Sequence, residues 1–441
     1  MVFYQENEVM ERYNEVINYL YDQLPYYQRN GPAAYKDNLD NTLQLDEMFG
    51  RPHQQFSTIH VAGTNGKGSV SHMLASILHA AGYKTGLYTS PHLKDFRERI
   101  RIDGKPVAEQ FVADFVNQFL EKNEKINLEP SFFELTVLMA FEYFAREKVD
   151  VAIIEVGLGG RLDSTNIIKP ELSVITNISL DHTNLLGDTL GKIALEKAGI
   201  IKRCVPIVIG ETHPQTEMIF EGKAREFQAP IHFADQTFNL GYSMFSTDNK
   251  QVFNLRKNDK VVYENLRLDL LGGYQSKNIC TVMTAIEQLQ KLDWNIPEMA
   301  IREGLENVVA KTGLQGRWQI LGANPRIVCD TAHNEAGIRE IVAQILRTPY
   351  KKLHFVIGMV NDKDIASVLV QLPKDAEYYF TKANIPRAMD ENQLMKMAAY
   401  FNLVGKSYQT VSEALNVAQK NSEPDDMIFI GGSTFVVAEV I

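Results

Sequence analysis

Ile59-His60-Val61-Ala62-Gly63-Thr64-Asn65-Gly66-Lys67-Gly68-Ser69-Val70 is the stretch from which the fold of this chain is read. The apolar run at 59–62 reads as a buried strand. A glycine-rich loop with one lysine and one hydroxyl follows. From Val70 to Ala81 apolar residues recur at helical spacing, and Gly82 is placed to end the helix. This is the layout of a phosphate cradle: backbone N–H groups and a helix N-terminus face the anion, Lys67 adds a full positive charge, and the Ser69 hydroxyl suits Mg2+. The general pattern G-x-x-x-x-G-K-[ST] is not met, because Gly68 separates Lys67 from Ser69 and valine stands at 61. Taken alone, Gly63, Thr64, Asn65, Gly66, Lys67, Gly68 and Ser69 form either a nucleotide site or an ordinary turn between strand and helix.

Working outward, Glu6–Leu24 and Thr42–Phe49 read as helices on the N-terminal side, with a polar loop from Pro25 to Asn41. Beyond the loop, Lys84–His92 is a short strand running into a turn at Ser90-Pro91, and Leu93–Arg101, crowded with charge, reads as a mobile loop near the site. Ala108–Leu120 and Phe132–Arg146 read as helices, Val149–Val156 as a buried strand, Leu172–Ile178 as another, Leu190–Ala198 as a helix and Val205–Ile209 as a strand. Alternation of strands and helices implies a parallel sheet with its ligand site beyond the carboxyl ends of the strands. The loop of Lys67, Ser90, Glu155 and Asp181-His182 all fall there.

Residues 229–270 change to alternating patterns at 231–233, 237–240 and 260–263, a small antiparallel addition. Helices at Asn278–Leu292 and Pro297–Val309 follow. From Gly316 a second β/α series begins, with strands at 326–329, 353–357, 376–381, 408–411 and 427–430. The expected fold is therefore α/β: an N-terminal P-loop parallel-sheet domain over 1–310 with a small antiparallel addition, then a C-terminal Rossmann-like α/β domain over 311–441. The second domain lacks a G-x-G-x-x-G opening, so NAD is not expected.

Composition narrows the function classes. The chain has 441 residues, 45% hydrophobic and 23% charged, with a formal net charge of −10. That balance fits a full core and argues against nucleic-acid or membrane-surface binding driven by bulk charge. Three distant cysteines, Cys204, Cys280 and Cys329, make no disulfide framework and point to a reducing cytoplasm. The acidic N-terminus has no secretory pattern, and no apolar run reaches about 18 residues. The expected partners are small molecules, and the expected state is a monomer.

The chemistry-bearing residues each have two readings. Glu155 is a solvated strand end or, opposite a phosphate loop, a Mg2+ ligand. Ser90 opens an ordinary turn or sits at the neighbouring strand end. Asp181-His182 are capping residues or a pair of ionisable groups at a site. Lys197, taken alone, is a surface lysine near a helix C-terminus. Asp330-Thr331-Ala332-His333-Asn334 is an N-cap or a nucleotide contact from across the cleft. Arg161 and Asp163 are candidates for a substrate carboxylate clamp. On these residues the chain is a two-domain, Mg2+-dependent ATP-using enzyme, and its substrate is not readable.

As an ordered set, Gly63–Ser69, Thr89-Ser90-Pro91-His92-Leu93, Phe132-Phe133-Glu134, Glu155–Asp163, Leu180-Asp181-His182, Glu196–Ile200, Gly316-Arg317-Trp318 and Asp330–Asn334 resemble the bifunctional folylpolyglutamate synthase/dihydrofolate synthase family of the Mur ligase superfamily. The extra Gly68 is the form that family uses, while Tyr274-Gln275 stands where a His-Gln pair is common. The resemblance implies that ATP phosphorylates a pteroate or folate carboxylate and that L-glutamate attacks the acyl phosphate. It implies Mg2+ at two sites, one held by Ser90 and Glu155 and a second aided by His182. It implies a CO2-derived carbamate on Lys197 as a further metal ligand, with Lys67 offsetting phosphoryl charge. By the same resemblance Asn278, Arg317, Asp330 and His333 contact ATP, and Ser131, Phe132, Phe133, Glu134, Leu162, Asp163 and Ser164 line the pterin side. A peptidoglycan-type Mur ligase would need more than the sixty or so residues before the loop. A catalytically silent nucleotide binder has no use for two metal sites.

Overall fold

The computed structural model describes residues 2–25, 38–361 and 364–441, apart from the side chains of 2–9 and 242. The expected loop at 25–41 lies largely outside these. Seventeen strands are named in chain order among the described residues. Strands β1 (Ser57–Ala62), β2 (Thr85–Tyr88), β3 (Ile100–Ile102), β4 (Lys105–Pro106), β5 (Val151–Glu155), β6 (Leu172–Ile175), β7 (Ile207–Ile209) and β8 (Ile231–Phe233) form one sheet in the order β4-β3-β2-β5-β1-β6-β7-β8. From β2 to β8 in that order neighbours run parallel, and β3 and β4 add an antiparallel edge. The central strand β5 is buried on both faces, which is why 151–154 is an apolar run without alternation.

A three-stranded antiparallel sheet, β9 (Asn239–Phe245), β10 (Gln251–Lys257) and β11 (Lys260–Leu268), packs into the same core as the Gln275–Lys291 helix. The second large sheet has strands β12 (Gln319–Ala323), β13 (Arg326–Cys329), β14 (Leu353–Ile357), β15 (Glu377–Phe380), β16 (Gly405–Ser407) and β17 (Met427–Gly431), ordered β12-β13-β17-β14-β15-β16 and parallel except for β12.

The phosphate-loop helix spans Lys67–Ala80, three residues earlier than its apolar periodicity suggests, because Gly66 in the left-handed region (φ 86°) opens it. Every residue from Ser69 to Leu78 is buried. The Glu298–Glu306 helix closes over it so tightly that a Cβ on Gly304 would lie 2.5 Å from Ile77 Cα, and Ser76 Oγ donates to Gly304 O at 2.6 Å.

Four sequence expectations are corrected. Leu93–Arg101 is a packed element: Asp95 and Glu98 form a capping box around the short Phe96–Arg99 helix, Phe96 is buried against Phe132, and Ile100–Ile102 joins the large sheet. The acidic charges that suggested mobility are consumed by caps; Glu98 accepts the N–H groups of Leu93, Lys94 and Asp95. Ile231–Phe233 pairs with β7 in the large sheet, not with the antiparallel addition. Residues 234–237 are a helical turn, and β10 at 251–257 supplies the middle antiparallel strand. The strand expected at 408–411 lies at 405–407, since Thr410 is the N-cap of the Val411–Asn421 helix.

Candidate active site

The carboxyl ends of β1, β2, β5 and β6 open on one side, and the Asp330–Asn334 turn after β13 meets them from the second sheet. The loop after β1 is fixed to the segment following β6. Thr64 N–H donates to Asn177 O (3.0 Å), Asn65 N–H donates to Asn177 Oδ1 (2.9 Å), and the Thr176 hydroxyl donates to Asn65 O (2.6 Å). Gly63 has φ 148°, and a Cβ there would sit 1.8 Å from Thr176 Oγ1, so no other residue fits. Lys67 Nζ donates to Gly63 O (3.0 Å) and Thr64 O (3.2 Å), which folds the ammonium back over the loop. The buried Ser69 accepts from Gln275 Nε2 (3.2 Å), and Gln275 Oε1 accepts from Asn278 Nδ2 (2.7 Å). Asn278 lies against the loop: a Cβ on Gly66 would be 2.5 Å from its Oδ1.

Glu155, at the last position of β5, is 3% exposed and accepts the Ser90 N–H at 3.1 Å. Burial raises its pKa, opposed by Lys67, by the Ser90 N–H and by Arg317. Arg317 reaches in from the second sheet, donating to Gly316 O and to the Thr331 hydroxyl. Gly68 faces both: a Cβ there would be 3.4 Å from Arg317 Nη2 and 3.9 Å from Glu155 Oε1. Gly68, Ser90, Glu155, Arg317 and Thr434 line one cavity between the sheets.

Lys197 is not a surface lysine. It is 4% exposed, and its pKa falls to about 7 through burial and the nearby Lys67 charge, with Asp181, Asp163 and Glu196 opposing. It is covered by the turn after β5. Arg161 N–H donates to Glu196 O (2.8 Å), and a Cβ on Gly160 would lie 3.1 Å from Lys197 Cα. That close approach is the physical reason for the glycine at 160. His182 has left-handed backbone (φ 50°) before the Thr183–Leu186 turn, with Nε2 3.9 Å from Asp181 Oδ1.

Asp330 is buried and accepts three hydrogen bonds, from Tyr274 OH (2.6 Å), Trp318 N–H (2.7 Å) and Ala332 N–H (2.9 Å). Burial raises its pKa. His333 Nδ1 is 3.0 Å from Thr331 O and its Nε2 is 3.4 Å from Asp181 Oδ2.

The residues expected on the pterin side divide. Ser131 and Glu134 form a capping box that starts the Phe132–Arg146 helix. Phe132 is core, stacked on Tyr21 at 5.5 Å with Arg99 over its ring. Phe133 is half-buried, and a Cβ on Gly157 would touch its ring. Leu162 is half-buried and Ser164 buried. Arg161 is exposed and pairs with Glu196 at 2.9 Å. The buried Asp163 carboxylate accepts from Leu158 N–H (2.8 Å), Thr165 N–H (3.0 Å) and the Thr165 hydroxyl (2.5 Å), so it anchors the glycine turn.

Sequence reading missed Asn177 and the bridging side of Asn334, and noted Tyr274 and Gln275 only as standing where a His-Gln pair is common. All four act through tertiary contacts for which spacing leaves no trace. Among the described residues no three His, Cys, Asp or Glu side chains form a ready metal cluster. A hydroxyl and one buried carboxylate beside a phosphate loop nevertheless suit Mg2+, which takes few protein oxygens and completes its shell with water and phosphate.

Residues 61–286 match the Mur ligase middle domain, and residues 316–434 match the glutamate ligase domain of Mur ligases. A Bacillus subtilis dihydrofolate synthase/folylpolyglutamate synthase is 32% identical over 92% of this chain and 94% of its own length. A Haloferax volcanii relative, described as a probable bifunctional folylpolyglutamate synthase/dihydropteroate synthase, is 33% identical over 97% of this chain, which spans about half (50%) of that protein. The Escherichia coli FolC structure in complex with DHPP and ADP superposes with a TM-score of 0.84 at 30% identity, covering 97% of this chain and 96% of that one. A folylpolyglutamate synthase/dihydrofolate synthase structure with Mn, AMPPNP and L-glutamate bound has a TM-score of 0.79 at 30% identity, covering 92% of this chain and 94% of that one. The chain belongs to the folylpolyglutamate synthase/dihydrofolate synthase family of Mur ligases.

Proposed function

We propose that this protein is an ATP-dependent amide-forming ligase that joins L-glutamate to dihydropteroate and to reduced folates through an acyl phosphate. The observation that carries this is the meeting, in one cleft, of a phosphate loop, the buried carboxylate of Glu155, Arg317 from the second sheet, and a buried lysine that loses its proton near pH 7. The loop N–H groups and Lys67 hold the triphosphate. Arg317 neutralises charge that builds on the transferring phosphoryl. Ser90 and Glu155 are the residues that would hold Mg2+, with His182 and Lys197 at a second site; bound there, the metal offsets phosphate charge.

An amine reacts with CO2 only when unprotonated, and the carbamate so formed replaces a cation with an anionic oxygen donor. The lowered pKa of Lys197 supports that conversion. Phe133 and Leu162, half-buried beside the glycine turn, are the side chains we assign to the pterin ring, and Asn278, Asp330 and His333 the ones we assign to the nucleotide. We also take the chain to divide at 310/311 and to act as a monomer in the cytoplasm. The free state of its three cysteines supports the location, and no described helix is long and apolar enough to cross a membrane.

The test is phosphate release from ATP by purified protein. It is expected only when L-glutamate and either dihydropteroate or tetrahydrofolate are both present. Release without a pterin acceptor, or independent of glutamate, overturns the reading.

A further inference from the structure

Asn334 caps the Glu335–Arg347 helix, accepting the Gly337 N–H at 2.9 Å. A cap needs only one acceptor, and here the rest of the carboxamide is used across the cleft. Asn334 Oδ1 also accepts from Asn65 Nδ2 (3.2 Å), while Asn334 Nδ2 donates to Asn65 Oδ1 (3.0 Å) and to Asp181 Oδ2 (3.1 Å). Two donors and two lone pairs exhaust an amide. Its partners are themselves held. Asn65 is fixed through its own N–H and C=O by Asn177 and Thr176, and Asp181 faces His333 at 3.4 Å. One side chain on the second sheet's side thus joins the phosphate loop and the segment after β6.

Hydrogen bonds are directional and weaken steeply when misaligned. A reciprocal amide pair plus a carboxylate and a helix cap are met together at one orientation of the second sheet against the loop. We propose that Asn334 is a positioning residue that sets the closed register of the two large sheets, through Asn65 and Asp181, so that Arg317 and Asp330 are presented to the phosphate loop. The kinetic arm of the test rests on the ligase reading above; the scattering arm does not.

Ser and Asp cap helices about as well as Asn. Asn334→Ser keeps a cap but is too short to bridge. Asn334→Asp keeps the cap and loses both donors, placing a carboxylate opposite Asp181. Both variants are expected to melt within a few degrees of the parent. Both should expand in ligand-free small-angle scattering, and should lose kcat by about tenfold or more, as for the loss of three bridging hydrogen bonds in the serine variant and two in the aspartate variant, one of them to a charged group. The inverse pair Asp181→Asn with Asn334→Asp restores a donor–acceptor match and should be more compact and faster than Asn334→Asp alone. A purely capping role predicts parental scattering and kcat in both single variants, and that result overturns the inference. So does a double variant no closer to the parent than Asn334→Asp. An inactive parent protein would sink the ligase reading while leaving the scattering comparison intact.

Discussion

Lys197 shows at the residue scale how burial changes what a side chain can do. Its ordinary pKa of 10.5 falls to about 7, so the neutral amine becomes a major species as pH rises through that value. After removal of CO2, recovery of ligase activity at a fixed concentration of dissolved CO2 should be about tenfold slower at pH 6 than well above pH 7, where the amine is neutral. A rate independent of pH would remove the carbamate. Because the unfolded chain keeps this proton up to about pH 10.5, unfolding takes up a proton between 7 and 10.5 and the residue's contribution to stability rises with pH there. Lys197→Ala should flatten that rise in thermal melts, and should abolish turnover with bicarbonate unable to restore it.

Glu155 makes the opposite trade. Burial raises its pKa, so its ionised form is held at a cost in stability. Glu155→Gln keeps an acceptor for the Ser90 N–H and removes the buried charge. It should raise the melting temperature by about 1–2 °C and lower kcat by about a hundredfold or more. A variant that is active, or active and less stable, would show that the carboxylate is not at the reaction.

At the scale of elements, the 93–102 segment shows where charge misleads. Its acidic residues are caps and its one aromatic residue, Phe96, is 2% exposed in a cluster with Phe132 and His92. Phe96→Ala should cost about 3–5 kcal/mol, read by denaturant unfolding, as for other aromatic truncations in cores. A cost under about 1 kcal/mol would return the segment to the status of a loop. Phosphate loop, strand ends and most helices were legible because each is a local pattern: glycine spacing, apolar runs, periodicity. The sheet membership of Ile231–Phe233 was not, since a three-residue strand carries the same pattern whichever neighbour it pairs with.

At the scale of the whole molecule, polar side chains join the elements around the two large sheets. Besides Asn334, Tyr274 crosses from the segment before the Gln275–Lys291 helix to Asp330. Tyr274→Phe removes one of the three donors to that buried carboxylate and should lower stability by about 1–3 kcal/mol, with a higher KM for ATP. Unchanged stability and KM would make the hydroxyl dispensable.

The amino-acid sequence by itself determined the α/β class, the phosphate loop with its inserted Gly68, and the family to which the chain belongs. These are short-range patterns, fixed by which residues follow one another. Only the tertiary structure decided that Lys197 is buried and near neutrality, that Asp163 anchors a turn, and that Asn334 spans the cleft. Burial, electric field and bond direction depend on what lies across a gap of many residues, and no local spacing encodes them.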